Sequence, residues 1–229
     1  MGADFLTMDA RYAVTMKAMP AQSLDCRCAR GMAISPYLDS RTKRMIELIL
    51  TLVLLAASLP LCLLIGMAIL ATDGWPILFA QRRAGRNGRP FTLWKFRTLH
   101  LAAEADEYVA ESDLLPHYTR IGGFLRRRRL DELPQILAVL TGVMSLVGPR
   151  PERVAIARCY SPREGCRLRC KPGVTGLWQV LADRTQPIHR QMEYDLYYLR
   201  RASLLLDLRI LAMTAVVMLF PSRLDGKQP

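Results

Sequence analysis

Asp131 and Glu132 are adjacent acids within Leu130-Asp131-Glu132-Leu133-Pro134-Gln135. The run is entered through Arg126-Arg127-Arg128-Arg129 and followed by Gly148-Pro149-Arg150-Pro151. A carboxylate can take a divalent cation, attack an electrophile or act as a base, and an arginine fork holds phosphate oxygens. The same chain carries a long apolar segment over 48–71, which brings a lipid within reach. These features together point to phosphate chemistry on a lipid at a membrane surface.

Pro134 suits the first turn of a helix whose apolar face is Ile136, Leu137, Val139 and Leu140, with Gly142 as its stop. Asp131 and Glu132 then sit at or just before a helix N-terminus, where the dipole favours an ionised carboxylate. An N-cap aspartate is the ordinary use of such a position, and a solvated or lipid-facing surface is the ordinary use of an arginine run. Arg150 lies between two prolines that restrict the backbone on both sides, and Lys171-Pro172-Gly173-Val174-Thr175-Gly176 is a second rigid basic turn. No Walker A loop and no G-x-G-x-x-G after a strand is present. The arginine run is also unaccompanied by any nucleic-acid-binding signature.

These groups must be positioned by the elements around them. The 24 residues from 48 to 71 carry no charge; as a helix they would measure about 36 Å, enough to cross a hydrocarbon core of about 30 Å. Pro60 falls near the middle and removes a backbone donor, while Ser58 can bond a freed carbonyl. Arg41, Lys43 and Arg44 precede the segment, and Arg82, Arg83, Arg86 and Arg89 follow it. Basic residues prefer the cytoplasmic side, so a hairpin that enters and leaves one leaflet stands beside a single span. Gly85-Arg86-Asn87-Gly88 is a turn between β-prone runs at 77–80 and 90–96. Residues 102–114 are locally acidic and read as a solvated helix. The apolar stretch 204–220 contains Asp207 and Arg209, which suits a helix lying in the membrane interface or packing under the domain better than a span.

The chain has 229 residues, 51% of them hydrophobic, a net charge of +12 and a mean hydropathy of +0.12. Such a charge selects anionic partners: nucleic acid, nucleotide-linked substrates or acidic lipids. Cys26, Cys28, Cys62, Cys159, Cys166 and Cys170 make no pair of C-x-x-C knuckles, and the histidines are scattered. Reduced thiols are therefore expected, and no zinc site. No apolar core of signal-peptide length follows the first arginine, so no cleaved signal is expected.

Taken in order, these motifs resemble the bacterial sugar transferase family, the monotopic polyprenol-phosphate phosphoglycosyl transferases. The resemblance covers about 43–214. It includes Lys95-Phe96-Arg97-Thr98, Thr119-Arg120-Ile121-Gly122, the run at 130–135, Met144-Ser145-Leu146-Val147-Gly148-Pro149-Arg150-Pro151, the turn at 171–176 and Asp195-Leu196-Tyr197-Tyr198. It implies a mostly helical α+β fold, with a re-entrant membrane helix broken at Ser58 and Pro60 (41–74) and a catalytic domain (75–229) ending in an interfacial helix; residues 1–40, which lack sustained periodicity, read as a poorly ordered extension.

By the same resemblance, Asp131 is the nucleophile and Glu132 its dyad partner, with Mg²⁺ held at Asp131. Lys95, Arg126, Arg150, Pro151 and Asp195 serve substrate binding. The partners implied are a UDP-sugar donor, a polyprenyl phosphate acceptor (undecaprenyl phosphate) and membrane lipids, with no nucleic acid and homo-oligomerisation left open. The place implied is the cytoplasmic face of a bacterial inner membrane, at the first membrane step of exopolysaccharide, O-antigen, capsule or glycoprotein glycan assembly. The chain looks like a minimal catalytic form without the further transmembrane bundle of longer relatives.

Departures occur at Arg128 and Arg129, where small polar residues are usual, and at Leu177 and 181–183, which bear on donor identity. The competing reading is a non-enzymatic polybasic scaffold of a glycan assembly complex, for which Asp131 and Glu132 are dispensable.

Overall fold

The computed structural model describes residues 32–100, 117–181 and 191–219. The acidic stretch 102–114, nearly all of the extension 1–40 and the departures at 182–183 lie outside them. The described chain is mostly helical, with two small sheets and one long apolar helix. That agrees with the α+β expectation.

Helix α1, Arg41–Asp73, is the one described helix long and apolar enough to cross a membrane. Ser40 caps it by accepting from the Lys43 amide at 3.1 Å, and Gly74, at φ 71°, ends it. Helical backbone continues through Pro60, where the break at Ser58 and Pro60 is expected. One proline removes one donor from a 33-residue ladder, and Ser58 Oγ donates to Leu55 O at 3.3 Å within the preceding turn. The helix surface is divided. Lys43, Glu47 and Thr51 are buried near one end and Ile65, Gly66 and Ile69 near the other, whereas Leu52, Val53, Leu59, Leu63 and Leu64 between them are exposed.

Strands β1 (Leu78–Ala84) and β2 (Pro90–Phe96) form the expected hairpin, in register from Leu78↔Phe96 to Ala84↔Pro90. Asn87 (φ 55°) and Gly88 (φ 71°) supply the left-handed backbone the turn needs. A short helix α2, Gly122–Arg127, leads into a 3₁₀ segment, Leu130–Gln135, and helix α3, Ile136–Leu140.

Strand β3 (Ser145–Val147) pairs in parallel with β4 (Gly173–Thr175). The pairing is extended by Gly148 N to Thr175 O and Gly173 N to Pro149 O, both 2.9 Å. A Cβ on Gly173 would lie 2.1 Å from Gly148 N, so the two basic turns can cross only because both carry glycine at the contact. Helices α4 (Val154–Arg158), α5 (Leu177–Leu181), α6 (Glu193–Arg201) and α7 (Leu204–Leu219) complete the fold.

Leu93, Val139, Met144, Leu146, Val147, Leu199 and Ile210 form the main core, each buried aliphatic group contributing roughly 1.5–3 kcal/mol. Helix α7, expected in the membrane interface or packed under the domain, packs Asp207, Ile210 and Val217 inward and exposes Leu205, Leu208, Val216 and Leu219. Of the described cysteines, Cys62, Cys159 and Cys170 are free. Cys166 is disulfide-bonded, a departure from the reduced-thiol expectation.

Candidate active site

The Leu130–Gln135 segment presents two faces. Leu130 and Leu133 pack against Ile65 and Ile69 of α1, with Phe96 of β2 and Leu125 of α2. The apolar helix thus braces this segment from one side. The Glu132 carboxylate meets Lys95 of β2 and Arg150 of the Gly148–Pro151 loop. Pro134 lies within a 3₁₀ turn rather than opening an α-helix, and Leu137, expected on an apolar inner face, is 52% exposed. Arg129 enters the turn at φ 56°, a conformation small polar residues adopt at less cost. Its guanidinium Nη2 donates to Gln179 O at 2.6 Å.

The two acids have different environments. Lys95 Nζ donates to Glu132 Oε1 at 3.1 Å; Arg150 Nη2 donates to the same oxygen at 2.6 Å and Nη1 to Oε2 at 3.4 Å. Burial raises the Glu132 pKa, but Arg150 and Lys95 outweigh it and hold the carboxyl well below its ordinary range. Asp131 is 5% exposed. No hydrogen bond or ion pair reaches its carboxylate among the described residues. Burial, then the Glu132 charge, raises its pKa from 3.8 to about 6, against the pull of Lys95, Arg126 and Arg150. Desolvation and a neighbouring anion thus exceed the field of a short helix in setting this pKa, and at about 6 the carboxyl is still mostly ionised at neutral pH. The outcome is one clamped anion beside one carboxylate left open to a ligand.

The other sequence candidates fall into two groups. Arg126 is half-buried, places its guanidinium 5.5 Å from the Tyr118 ring centroid and acts electrostatically on Asp131. Pro151 is buried, and its carbonyl accepts from Arg83 Nη1 at 3.3 Å. Asp195 is not brought to the dyad. It is 1% exposed and pairs with the equally buried Arg167 at 2.6 Å. Arg167 in turn donates to Arg150 O at 2.8 Å and to Tyr160 OH at 2.6 Å. Asp195 therefore reaches the site only through the backbone of Arg150, as a positioning residue. Ser58 is half-buried and Pro60 exposed on α1, and neither bonds to these groups.

Sequence reasoning missed three contributors. Arg83, read as a membrane flank, sits beside Glu152 (3.8 Å) with its pKa lowered to about 10, chiefly by burial. Arg167 gave no signal, because arginine spacing alone does not reveal a buried ion pair. Lys43 was counted as part of a basic flank, yet it is 3% exposed and bonded to Asp207 at 2.5 Å and Glu47 at 2.9 Å.

As for a metal, Asp131 is the carboxylate at the dyad not already taken by a cation. No group of three or more His, Cys, Asp or Glu able to hold one occurs among the described residues. The protein would supply one ligand, and a bound diphosphate the others. Mg²⁺ accepts that arrangement, keeping waters and sharing a carboxylate with substrate phosphates.

The family described as bacterial sugar transferase matches residues 38–221. A UDP-glucose:undecaprenyl-phosphate glucose-1-phosphate transferase of Klebsiella pneumoniae is 33% identical over 245 residues, covering 92% of this chain and 53% of that protein. One so named from Escherichia coli (strain K12) is 40% identical over 182 residues, covering 75% of this chain and 39% of that protein. The exopolysaccharide production protein ExoY of Sinorhizobium fredii is 34% identical over 188 residues, covering 76% of this chain and 83% of that protein. The chain spans about half, or less, of the first two relatives. With a family match over most of its length and Lys95 and Arg150 gathered around the Asp131–Glu132 pair, the chain belongs to the bacterial sugar transferase family.

Proposed function

We propose that this chain transfers a sugar 1-phosphate from a UDP-sugar to a polyprenyl phosphate, undecaprenyl phosphate, at the cytoplasmic face of a bacterial inner membrane. The observation that carries the reading is the buried Asp131 carboxylate, unpaired among the described residues, beside the clamped Glu132. An oxygen of Asp131 attacks the sugar-proximal phosphorus, and the bond from that phosphorus to the bridging oxygen breaks. UMP leaves with the electron pair, and an aspartyl-phosphosugar remains. A phosphate oxygen of the polyprenyl phosphate then attacks the same phosphorus, which releases the Asp131 carboxylate and forms the polyprenyl-diphosphate sugar.

An anion approaching an anionic diphosphate needs neutralising charge, and Lys95, Arg126 and Arg150 supply it from the protein. Glu132, held ionised, keeps Lys95 and Arg150 at fixed positions beside Asp131. Mg²⁺ held at Asp131 would neutralise diphosphate charge when bound. Two relatives named for UDP-glucose make that donor the first to test, and surface polysaccharide assembly is the process that would use the product.

The membrane placement has support at both ends of α1. Near its start Lys43 joins Asp207. Beyond its end Arg97 donates to Asp73 O (2.6 Å), Gly74 O (2.8 Å) and Trp75 O (3.2 Å). Both ends are tied to one domain, which favours a helix that bends at Pro60 and returns to the leaflet it entered.

The test is UMP release by detergent-solubilised protein with Mg²⁺ and undecaprenyl phosphate across a panel of UDP-sugars. Release with one or two donors supports the reading; silence from folded protein across the panel refutes it. Removing the metal with EDTA is expected to abolish release, and excess Mg²⁺ to restore it; full activity in EDTA would exclude the metal. Arg150→Met, which removes the two Arg150 donors to Glu132 and leaves Lys95, is expected to lower kcat/KM by about 10²–10³. An unchanged value would remove Arg150 from the site.

A further inference from the structure

A cleft of about 310 Å³ opens at the start of α1, its lining including Arg41, Lys43, Arg44, Glu47, Arg86 and Lys171. Asp131, Glu132, Lys95 and Arg150 do not line it. Two of its cations are already neutralised: Lys43 by Glu47 and Asp207, and Arg86 by Asp39 through contacts of 2.6 and 2.9 Å. Arg44 spends its donors on uncharged acceptors, Val139 O at 2.7 Å and Leu140 O at 3.0 Å, where they close the end of α3. Arg41 and Lys171 make no hydrogen bond or ion pair among the described residues. Arg41, Arg44 and Lys171 thus share one cleft without a hydrogen bond or ion pair to an acid among the described residues, and Glu47 and Asp39, already engaged with Lys43 and Arg86, act on Lys171 only at longer range.

The helix field adds to the imbalance. The first turn of α1 holds no acidic residue and begins Arg41-Thr42-Lys43-Arg44, the opposite of what a helix N-terminus favours. Arg44 Nη2 and Lys171 Nζ approach the same point, 3.4 and 3.7 Å from where a Cβ on Gly142 would stand. Burial, then Arg44 and Arg86, lower the Lys171 pKa against the pull of Glu47 and Asp39. An anion would relieve the repulsion between these cations. Just beyond the cleft, Met45 and Ile49 are 63% and 59% exposed, and they begin the apolar surface that continues along α1.

We propose that this cleft binds the phosphate group of a membrane phospholipid, whose chains lie along the exposed face of α1. The site is separate from the dyad. It rests on α1 being a membrane helix and does not depend on the transferase reaction. Bound there, the phosphate would hold the start of α1 at headgroup depth.

The experiment titrates full-length protein in detergent micelles with phosphatidylglycerol, with diacylglycerol (the same chains without the phosphate) and with inorganic phosphate, reading Tm. Wild type is compared with Arg41→Gln/Lys171→Gln and with a charge-matched control, Arg200→Gln/Arg201→Gln, whose arginines are exposed on α6. Phosphatidylglycerol is expected to raise Tm saturably in wild type and control, and diacylglycerol to leave it unchanged. In the cleft variant the half-saturating fraction is expected to rise about thirtyfold, the effect of two basic groups at an acidic surface. Arg41→Gln alone, at an exposed residue without partners, is expected to fall between. If inorganic phosphate alone gives the full cleft-dependent rise, the lipid assignment is overturned and the cleft is a site for soluble phosphate. Equal titrations in all variants, no rise in wild type, or an equal rise with diacylglycerol would overturn the proposal.

Discussion

Asp131→Asn is expected to lower UMP release by about 10⁴-fold or more while making the protein more stable. The amide cannot attack phosphorus, and losing a nucleophile is among the largest single-residue effects in catalysis. The gain in stability follows from the raised pKa. Asp131 goes from 3.8 to about 6 on folding, so between those values the folded state binds the proton and the unfolded state releases it. Wild-type stability therefore falls as pH rises through this window, and the ionised carboxylate is a liability at neutral pH. Asparagine removes the charge. An advantage of roughly 2–3 kcal/mol follows at pH 7 in EDTA, and it should shrink toward zero as pH falls from about 6 to about 4. Thermal unfolding of both proteins across pH 4–8 measures it. A variant less stable than wild type at pH 7, or a pH-independent difference, would show that Asp131 is stabilised as an ordinary cap. Undiminished UMP release would remove it from the chemistry.

Lys43→Met is expected to be the most damaging single change away from the dyad. The ammonium is buried between Asp207 (2.5 Å) and Glu47 (2.9 Å), and it also donates to Tyr198 OH and Val147 O. Glu47 accepts from Ser145 Oγ and Leu146 N, and Asp207 from Tyr198 OH and Tyr37 OH. Methionine would fill the space but leave two carboxylates buried without their cation, a loss of about 3–5 kcal/mol. For a chain of this size that is about 10 °C or more in Tm. Lys43→Met/Asp207→Asn removes one of the stranded charges and should recover a large part of the loss. Equal Tm values for wild type and Lys43→Met would mean that the network contributes nothing. Val147 immediately precedes the loop that carries Arg150, so this cluster joins the start of the apolar helix to the substrate side of the protein.

These two residues mark where sequence reasoning reaches and where it stops. The hairpin turn at Asn87 and Gly88, the extent of α1 and the adjacency of Asp131 and Glu132 were readable, because each depends on residues close along the chain. Turn chemistry, helix capping and a charge-free run are local properties. The order of the motifs carried the family in the same way.

Which carboxylate is clamped and which is open was decided elsewhere. Lys95 and Arg150 approach Glu132 from 37 and 18 residues away, and the resulting pKa order runs against what a helix end alone would give Asp131. Asp195 looked like a site residue from its motif, but the packing of α6 buried it against Arg167. Lys43 read as a flank because its partner Asp207 lies 164 residues on. A side chain's type fixes what it can do. Whether it is desolvated, neutralised or left open depends on which distant segments are packed around it, and that is a property of the tertiary structure.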